Sequence, residues 1–245
     1  MRSFLMSTLR WILVTSGRYF ARRSLVGDRA IFDTEDFPWT REIEENWLLI
    51  RHELDAILRY KDELPNFQEI SVDQRGLSDD DLWKTYFFYA FGLKARRNCR
   101  RCPETTRLLK RIPGMKTAFF SILGPRKHIA PHRGKCKGVI RYHLALIVPE
   151  ARHLCRIRVG EETRHWEEGK SLVFDDTFTH EVFNETDQQR AVLFVDVVRP
   201  LPFPASLLNW ITLQLVAVSP MVLGSVRRFY AWEKRYEEAV RLQEQ

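Results

Sequence analysis

Two histidines far apart in the chain, His132 and His180, have the setting that points to chemistry. The chain carries seven histidines (His52, His128, His132, His143, His153, His165 and His180), and a single histidine is ordinarily structural or solvated. His132 lies in a turn-like stretch, HIAPHRGK, between two predicted strands. His180 lies in DDTFTHEVFN, after one predicted strand and before another. Strand ends converge at the mouth of a jelly roll, so two distant imidazoles there could face one metal ion. Iron(II) suits imidazole nitrogen combined with carboxylate or water oxygen, with positions left open for other ligands. The frequent arrangement adds an Asp or Glu two residues after the first histidine, but that residue is Gly134. His128, four residues before His132, has no assignable role, and His153 and His165 sit in polar, solvated stretches.

The elements that must position these residues fall into two kinds. TREIEENWLLIRHELDAILRYKDEL carries Ile43, Trp47, Leu48, Ile50, Leu54, Ile57 and Leu58 mostly at helical spacing, which predicts a helix capped by Thr40 and ended by Pro65. Glu42 and Glu44 fall in or beside its first turn, where the helix dipole favours anions. ETTRLLKRI predicts a second helix before Pro113-Gly114. From Lys116 the pattern changes to short segments, most of them rich in β-branched and aromatic residues: KTAFFSIL, GVIRYHLALIV, HLCRIRVG, ETRHWEEG, SLVFDD, HEVFNE and AVLFVDVV. Such a succession, without helical patterns between, indicates an antiparallel sandwich or barrel. The expected fold class is α+β, helices followed by a small jelly roll. Three zones are expected: an amphipathic basic segment at 1–35, a globular domain at 36–200, and an apolar then basic helical tail at 201–245.

The chain has 245 residues, enough for one sizeable core plus attachments. Hydrophobic residues at 44% and charged residues at 29% argue against global disorder. The net charge is +7, which fits nucleic acid, an anionic membrane surface or an acidic substrate. The basic clusters at Arg18, Arg22 and Arg23 and at Arg227 and Arg228 flank apolar segments, the pattern of a membrane-surface anchor. A third cluster spans Lys94, Arg96, Arg97, Arg100 and Arg101. None is interleaved with stacking aromatics on a recognisable platform, so nucleic acid is not an expected partner. Cys99, Cys102, Cys136 and Cys155 are too few for a disulfide scaffold, and Cys99 and Cys102 lack a second close pair for a structural zinc site. Ordinary reduced thiols are expected.

Arg10 interrupts the first apolar run and no clear cleavage site follows, so an interfacial helix fits better there than a signal peptide. Leu201 to Val226 contains no charged residue and is long enough to cross a bilayer. Pro202, Pro204, Pro220, Asn209 and Gln214 disfavour a straight span, whereas Trp210, Arg227, Arg228, Tyr230 and Trp232 suit an interface. The expectation is a monotopic or re-entrant helix pair; the alternative is a helix packed on the jelly roll.

Several motifs then occur in order: His132-Arg133-Gly134, Ile140 to Leu144, Trp166 to Lys170, Phe174-Asp175-Asp176 through Val182, and Arg190. Over roughly residues 85 to 200 the sequence resembles the aspartyl/asparaginyl β-hydroxylase family. The resemblance implies a double-stranded β-helix, a jelly-roll variant, and an iron site without a third protein ligand. It implies His132 and His180 as iron(II) ligands, with Asp176 bonded to a water in the carboxylate's place. It implies Arg190 as the grip on the distal carboxylate of the co-substrate 2-oxoglutarate, assisted by Ser121, with Arg141 and His143 near the metal-bound end. A guanidinium binds a carboxylate through two parallel hydrogen bonds that lysine cannot imitate. The activity implied consumes O2 and 2-oxoglutarate and puts one oxygen into a C–H bond. Taken singly, Arg190 reads as a surface residue, Asp175 and Asp176 as turn caps, and Ser121 and Arg141 as strand residues.

The segments from Asn98 to Pro103 and from Ile112 to Leu123 are similar to the bacterial lipid A and ornithine-lipid hydroxylases of that family. This similarity implies a fatty acyl chain of a membrane lipid as substrate, hydroxylated at C2 at the cytoplasmic face of the bacterial inner membrane. The basic clusters would meet anionic headgroups. A peptidyl Asp/Asn hydroxylase, with a polar cleft and no membrane association, is the rival reading. A non-catalytic jelly-roll binding protein is the third, and it has no need of His132, His180 and Arg190.

Overall fold

A computed structural model of the chain describes residues 2–71 and 76–243, with side chains from residue 12 to residue 241. The first residue of the expected N-terminal segment and the last two of the expected tail lie outside the described residues, as do the side chains of the first half of the expected amphipathic stretch.

The chain opens on α1 (Arg2–Arg23) and β1 (Ile31–Phe32). Where the periodicity predicts one helix there are two, α2 (Thr40–Glu45) and α3 (Trp47–Leu58). The break falls at Asn46, whose Nδ2 donates to the Glu42 carbonyl at 2.8 Å. Asparagine competes with the helical backbone for such bonds, and the ladder stops there. Thr40 is the first helical residue rather than the cap, its Oγ1 donating to the Thr34 carbonyl at 3.4 Å. The second helix ends at Leu58, well before Pro65, and a 3-10 turn at Lys61–Glu63 follows. Ile43, Ile50, Leu54 and Ile57 are buried, as their spacing required. The short α4 (Phe67–Ile70) comes next, the Asn66 amide donating to its Glu69 carboxylate at 2.8 Å.

β2 (Trp83–Ala90) is a strand that the sequence pattern did not reveal. Its residues are buried almost without alternation, so the period of two that marks a strand is missing. After β3 (Leu93–Lys94), α5 (Arg96–Arg101) and α6 (Pro103–Leu109) come eight strands: β4 (Met115–Leu123), β5 (His128–His132), β6 (Val139–Ile147), β7 (Cys155–Val159), β8 (Glu162–His165), β9 (Ser171–Phe174), β10 (His180–Asn184) and β11 (Arg190–Val198). The stretch HIAPHRGK is therefore not simply a turn; its first half is β5, with His132 as the last residue. Pro131 obscured that strand, but β5 is at a sheet edge, where proline leaves no inner ladder bond unmade.

The strands form two antiparallel sheets, of order β1-β9-β6-β11-β4-β2-β3 and β5-β10-β7-β8. From β4 to β11 the chain moves between the two in the manner of a jelly roll. Their facing sides and the helices that cover them share one buried cluster.

The tail forms α7 (Ala205–Ala217) and α8 (Pro220–Gln243), bent by 56° at the break between them. Among the described residues no single helix is long and apolar enough to cross a membrane, though this pair passes that test jointly. α7 carries apolar residues on both faces, with Ala205, Leu213 and Val216 buried. Asn209 and Thr212 face inward, the former with its Nδ2 donating to the Gly138 carbonyl at 2.8 Å, while Leu207, Leu208, Ile211 and Leu215 are exposed and Trp210 is 56% exposed. The later part of α8 instead docks: Phe229, Trp232, Tyr236 and Val240 belong to the main core. The Trp232 indole donates to the Glu63 carbonyl at 2.9 Å, and Arg101 pairs with Glu237 at 3.0 Å.

Candidate active site

Antiparallel pairing of β5 and β10 sets His180 directly opposite His132, and the two rings lie with centroids 4.0 Å apart. Each ring is oriented the same way. His132 Nδ1 lies 2.8 Å from the Ala130 carbonyl and His180 Nδ1 lies 3.1 Å from the Phe178 carbonyl. A carbonyl can only accept, so Nδ1 carries the proton and Nε2 keeps its lone pair, the tautomer a metal requires. Burial holds both imidazoles neutral. It pushes His180 down to about 3, helped by His132 and Arg141, and it lowers His132, with Arg141 adding to the effect.

The carboxylate missing at position 134 is replaced in space. Gly134 N–H donates to the Asp176 carbonyl at 2.7 Å, and a Cβ on Gly134 would fall inside the Asp176 carboxylate. Asp176 thus occupies the room that an aspartate side chain at 134 would need, so a side chain at one position excludes it at the other. Asp176 is buried, and burial raises its carboxyl to about 6 against the opposing pull of Arg141. Arg141 contacts Asp176 at 2.9 Å and donates from Nε to Asp196 at 3.1 Å. The neighbouring Asp175 serves the backbone instead. It pairs with Arg199 and with Lys137, and accepts from the Thr177 amide at 2.9 Å, tying the turn that presents His180.

Behind the imidazoles a narrow cavity runs between the sheets, lined by Trp83, Ser121, Arg141, His143, Phe194 and Arg190, with smaller apolar residues around them. Arg190 is 2% exposed, and its Nε and one terminal nitrogen have no hydrogen-bond partner. Its guanidinium lies 4.5 Å from the centre of the Trp166 ring, and burial lowers its pKa to about 10. A buried cation without an anion costs several kcal/mol, on the order of the desolvation of one ion. Both ring nitrogens of buried His143 are likewise unpartnered, and burial first, then Arg190, Arg141 and His180, hold it neutral. Ser121 accepts from the Trp83 indole at 3.0 Å and keeps its own proton for another acceptor. The cavity therefore presents a cation and a hydroxyl at one end and two lone-pair nitrogens at the other. That donor set fits a dicarboxylic acid chelated to a metal. Among the described residues no group of three or more His, Cys, Asp and Glu is gathered to hold a metal ion.

A wider groove of about 170 Å³ opens on the other side of His132, Arg141 and Asp176. Its walls are Phe67 and Ile70 of α4, the inner face of β2 and β4, and one face of α8.

Six of the residues singled out in the sequence line the cavity together: Ser121, His132, Arg141, His143, His180 and Arg190. The seventh, Asp176, borders the groove beside His132 and Arg141. Three contributors went unnoticed in the sequence. Asp196 anchors Arg141 and was visible as the lone acid in the apolar strand AVLFVDVV. Trp83 orients Ser121, and nothing local in the sequence marked it. Trp166 stacks on Arg190 and stood at the head of the motif Trp166 to Lys170 without a role.

The family model described as aspartyl/asparaginyl beta-hydroxylase matches residues 44–200. An ornithine lipid ester-linked acyl 2-hydroxylase of Rhizobium tropici is 42% identical over 96% of this chain and 83% of its own length. The human aspartyl/asparaginyl beta-hydroxylase is 33% identical over 65% of this chain, which spans only 21% of that protein. The mouse aspartate beta-hydroxylase domain-containing protein 2 is 31% identical over 75% of this chain and 58% of its length.

Proposed function

The chain belongs to the aspartyl/asparaginyl β-hydroxylase family, and on that premise we propose that it is an iron(II)- and 2-oxoglutarate-dependent hydroxylase acting at C2 of a fatty acyl chain in a membrane lipid. The observation that carries the reading is Arg190, a buried guanidinium with unsatisfied donors aimed into the cavity behind the imidazole pair. When bound, iron and 2-oxoglutarate supply the oxidising power, coupling O2-dependent decarboxylation to succinate with insertion of one oxygen into a C–H bond.

This chain's own residues do the positioning. His132 and His180 offer Nε2 to the metal. Arg190, with Ser121, binds the far carboxylate of the co-substrate. Asp176 sits where a third ligand would come from, and its carboxylate would accept a hydrogen bond from a water in that place. Arg141 restrains Asp176 and lines both the cavity and the groove. The packed walls exclude bulk water from the reacting centre.

The lipid substrate is favoured by the extent of the likeness. Identity to the rhizobial acyl 2-hydroxylase runs over nearly the whole chain, both terminal regions included, and the groove beside the imidazoles is mainly apolar. The exposed apolar face of α7 and the basic residues on α1 and α8 suit a monotopic seat on an anionic leaflet, at the cytoplasmic face of a bacterial inner membrane. The test is mass spectrometry of ornithine-lipid and lipid A extracts incubated with protein, iron(II), ascorbate and 2-oxoglutarate. A one-oxygen gain on an acyl chain is expected. Hydroxylation of an Asp- or Asn-containing peptide with no gain on any lipid would instead establish the peptidyl activity. Leu208→Glu with Ile211→Glu should weaken flotation with anionic liposomes about tenfold; unchanged flotation would remove the membrane seat.

A further inference from the structure

We propose that the groove beneath α8 is the channel for a single acyl chain, and that Val222, Ser225, Val226 and Phe229 set the chain length it accepts; this deepens, and rests on, the lipid-hydroxylase reading. The groove begins at His132, Arg141 and Asp176, so whatever lies in it reaches the nearer imidazole, His132. Its polarity is graded. The charged lining residues are Arg133, Arg141, Asp176 and Asp196, which are beside His132 in sequence or joined through Arg141. Away from that cluster the lining is aromatic and aliphatic, relieved by Ser71, Thr117 and Ser225. A molecule with a polar end at the imidazoles and an apolar remainder matches this gradient. A peptide would bury amide groups there with few partners.

The floor of the channel is a row of ring side chains that runs across the sheet. Phe194 on β11 pairs with Phe119 on β4, and Phe119 with Phe87 on β2. Successive centroids are 4.1 and 4.5 Å apart, and Phe229 of α8 continues the row 6.0 Å beyond Phe87. Three adjacent strand positions span roughly 10 Å at the usual strand spacing. The opposite wall is α8, where residues 222, 225, 226 and 229 recur at helical spacing and so share one face. This wall is fixed. Arg228 donates twice to the Ile70 carbonyl, at 2.8 and 3.0 Å, and Trp232 bonds the Glu63 carbonyl. A rigid floor and a rigid wall measure an aliphatic chain, and each methylene that no longer fits weakens binding about fourfold.

The experiment is titration of the full-length protein, without metal, with the fluorescent polyene fatty acid cis-parinaric acid, competed by saturated fatty acids of graded length. Wild type is expected to bind the probe. Ser225→Trp should bind it at least tenfold more weakly, and Val222→Ala should move the preferred competitor to longer chains. A wild type that ignores the probe overturns the channel. So do Ser225→Trp and Val222→Ala variants with wild-type affinity and length preference. If chain binding shifts as expected but no lipid gains oxygen, the hydroxylase reading fails and the channel stands. If a lipid is oxidised while both groove variants are neutral, the channel fails and the hydroxylase reading stands.

Discussion

The cavity between the sheets and the groove beneath α8 meet at Trp83, His132, Arg141 and Phe194, yet beyond that boundary they are built from opposite materials. The cavity gathers buried polar groups without partners: Arg190 with free donors and His143 with two unpartnered nitrogens. Such groups are destabilising unless a ligand completes them. Beyond its charged mouth the groove gathers stacked aromatics, each pair contributing about 0.5–1.5 kcal/mol beyond simple burial. One region is thus stabilised by its ligand, and the other is already stable without one. The pair of histidines is where the two must cooperate.

That division can be broken in several ways, the most drastic at the junction. His132→Ala or His180→Ala should lower hydroxylation by more than about 10³-fold, because a two-histidine site has no spare protein ligand. Metal binding followed by calorimetry should fall with it, and full turnover by either variant would end the metal assignment. Within the cavity, Arg190→Met should raise the KM for 2-oxoglutarate by about 10²-fold, with Arg190→Lys recovering little of it. The division would be wrong if the lipid KM moved instead. A smaller effect sharpens how the missing ligand is replaced. Gly134→Ala forces the Asp176 carboxylate aside and should cost about 10–100-fold in metal affinity, while Gly134→Ala combined with Asp176→Ala should fold without that strain. Equal metal affinity in Gly134→Ala and wild type would show that Asp176 has no part in the site.

The smallest expected effect is on the metal-free protein's stability. His180 is held down at about 3 against an ordinary 6.5, so between these values the unfolded chain binds more protons than the folded one. Its contribution is fully present above pH 6.5 and is lost as pH falls toward 3. His132 and His143 act with the same sign. Asp176, raised to about 6 from 3.8, acts with the opposite sign between those values and offsets part of the loss. Urea melts should show a loss of a few kcal/mol on the order of one to two shifted groups between pH 7.5 and 5, less in His180→Gln. A flat profile would mean that these imidazoles are solvated, and the cavity is not dry.

Much of the architecture was legible because it rests on local pattern. The helical spacing of Ile43, Ile50, Leu54 and Ile57, and the short β-branched segments after Lys116, describe burial that the tertiary structure respects. Reading failed where burial is two-sided or a single residue misleads. β2 is buried on both faces and shows no alternation; Pro131 disguised β5; Asn46 divided a helix that the periodicity ran through.

By itself the sequence determined which side chains exist to do chemistry, and that His132, Gly134, Asp176, His180 and Arg190 come in that order. Only the tertiary structure decided that Asp176 fills the space above Gly134, that Asp196 and Trp83 hold Arg141 and Ser121, and that the tail splits into a helix with an exposed apolar face and a docked one. The reason is physical. Residue type and spacing fix what a short segment prefers, whereas an unmet buried donor or a shared volume is a property of surfaces brought together from distant parts of the chain.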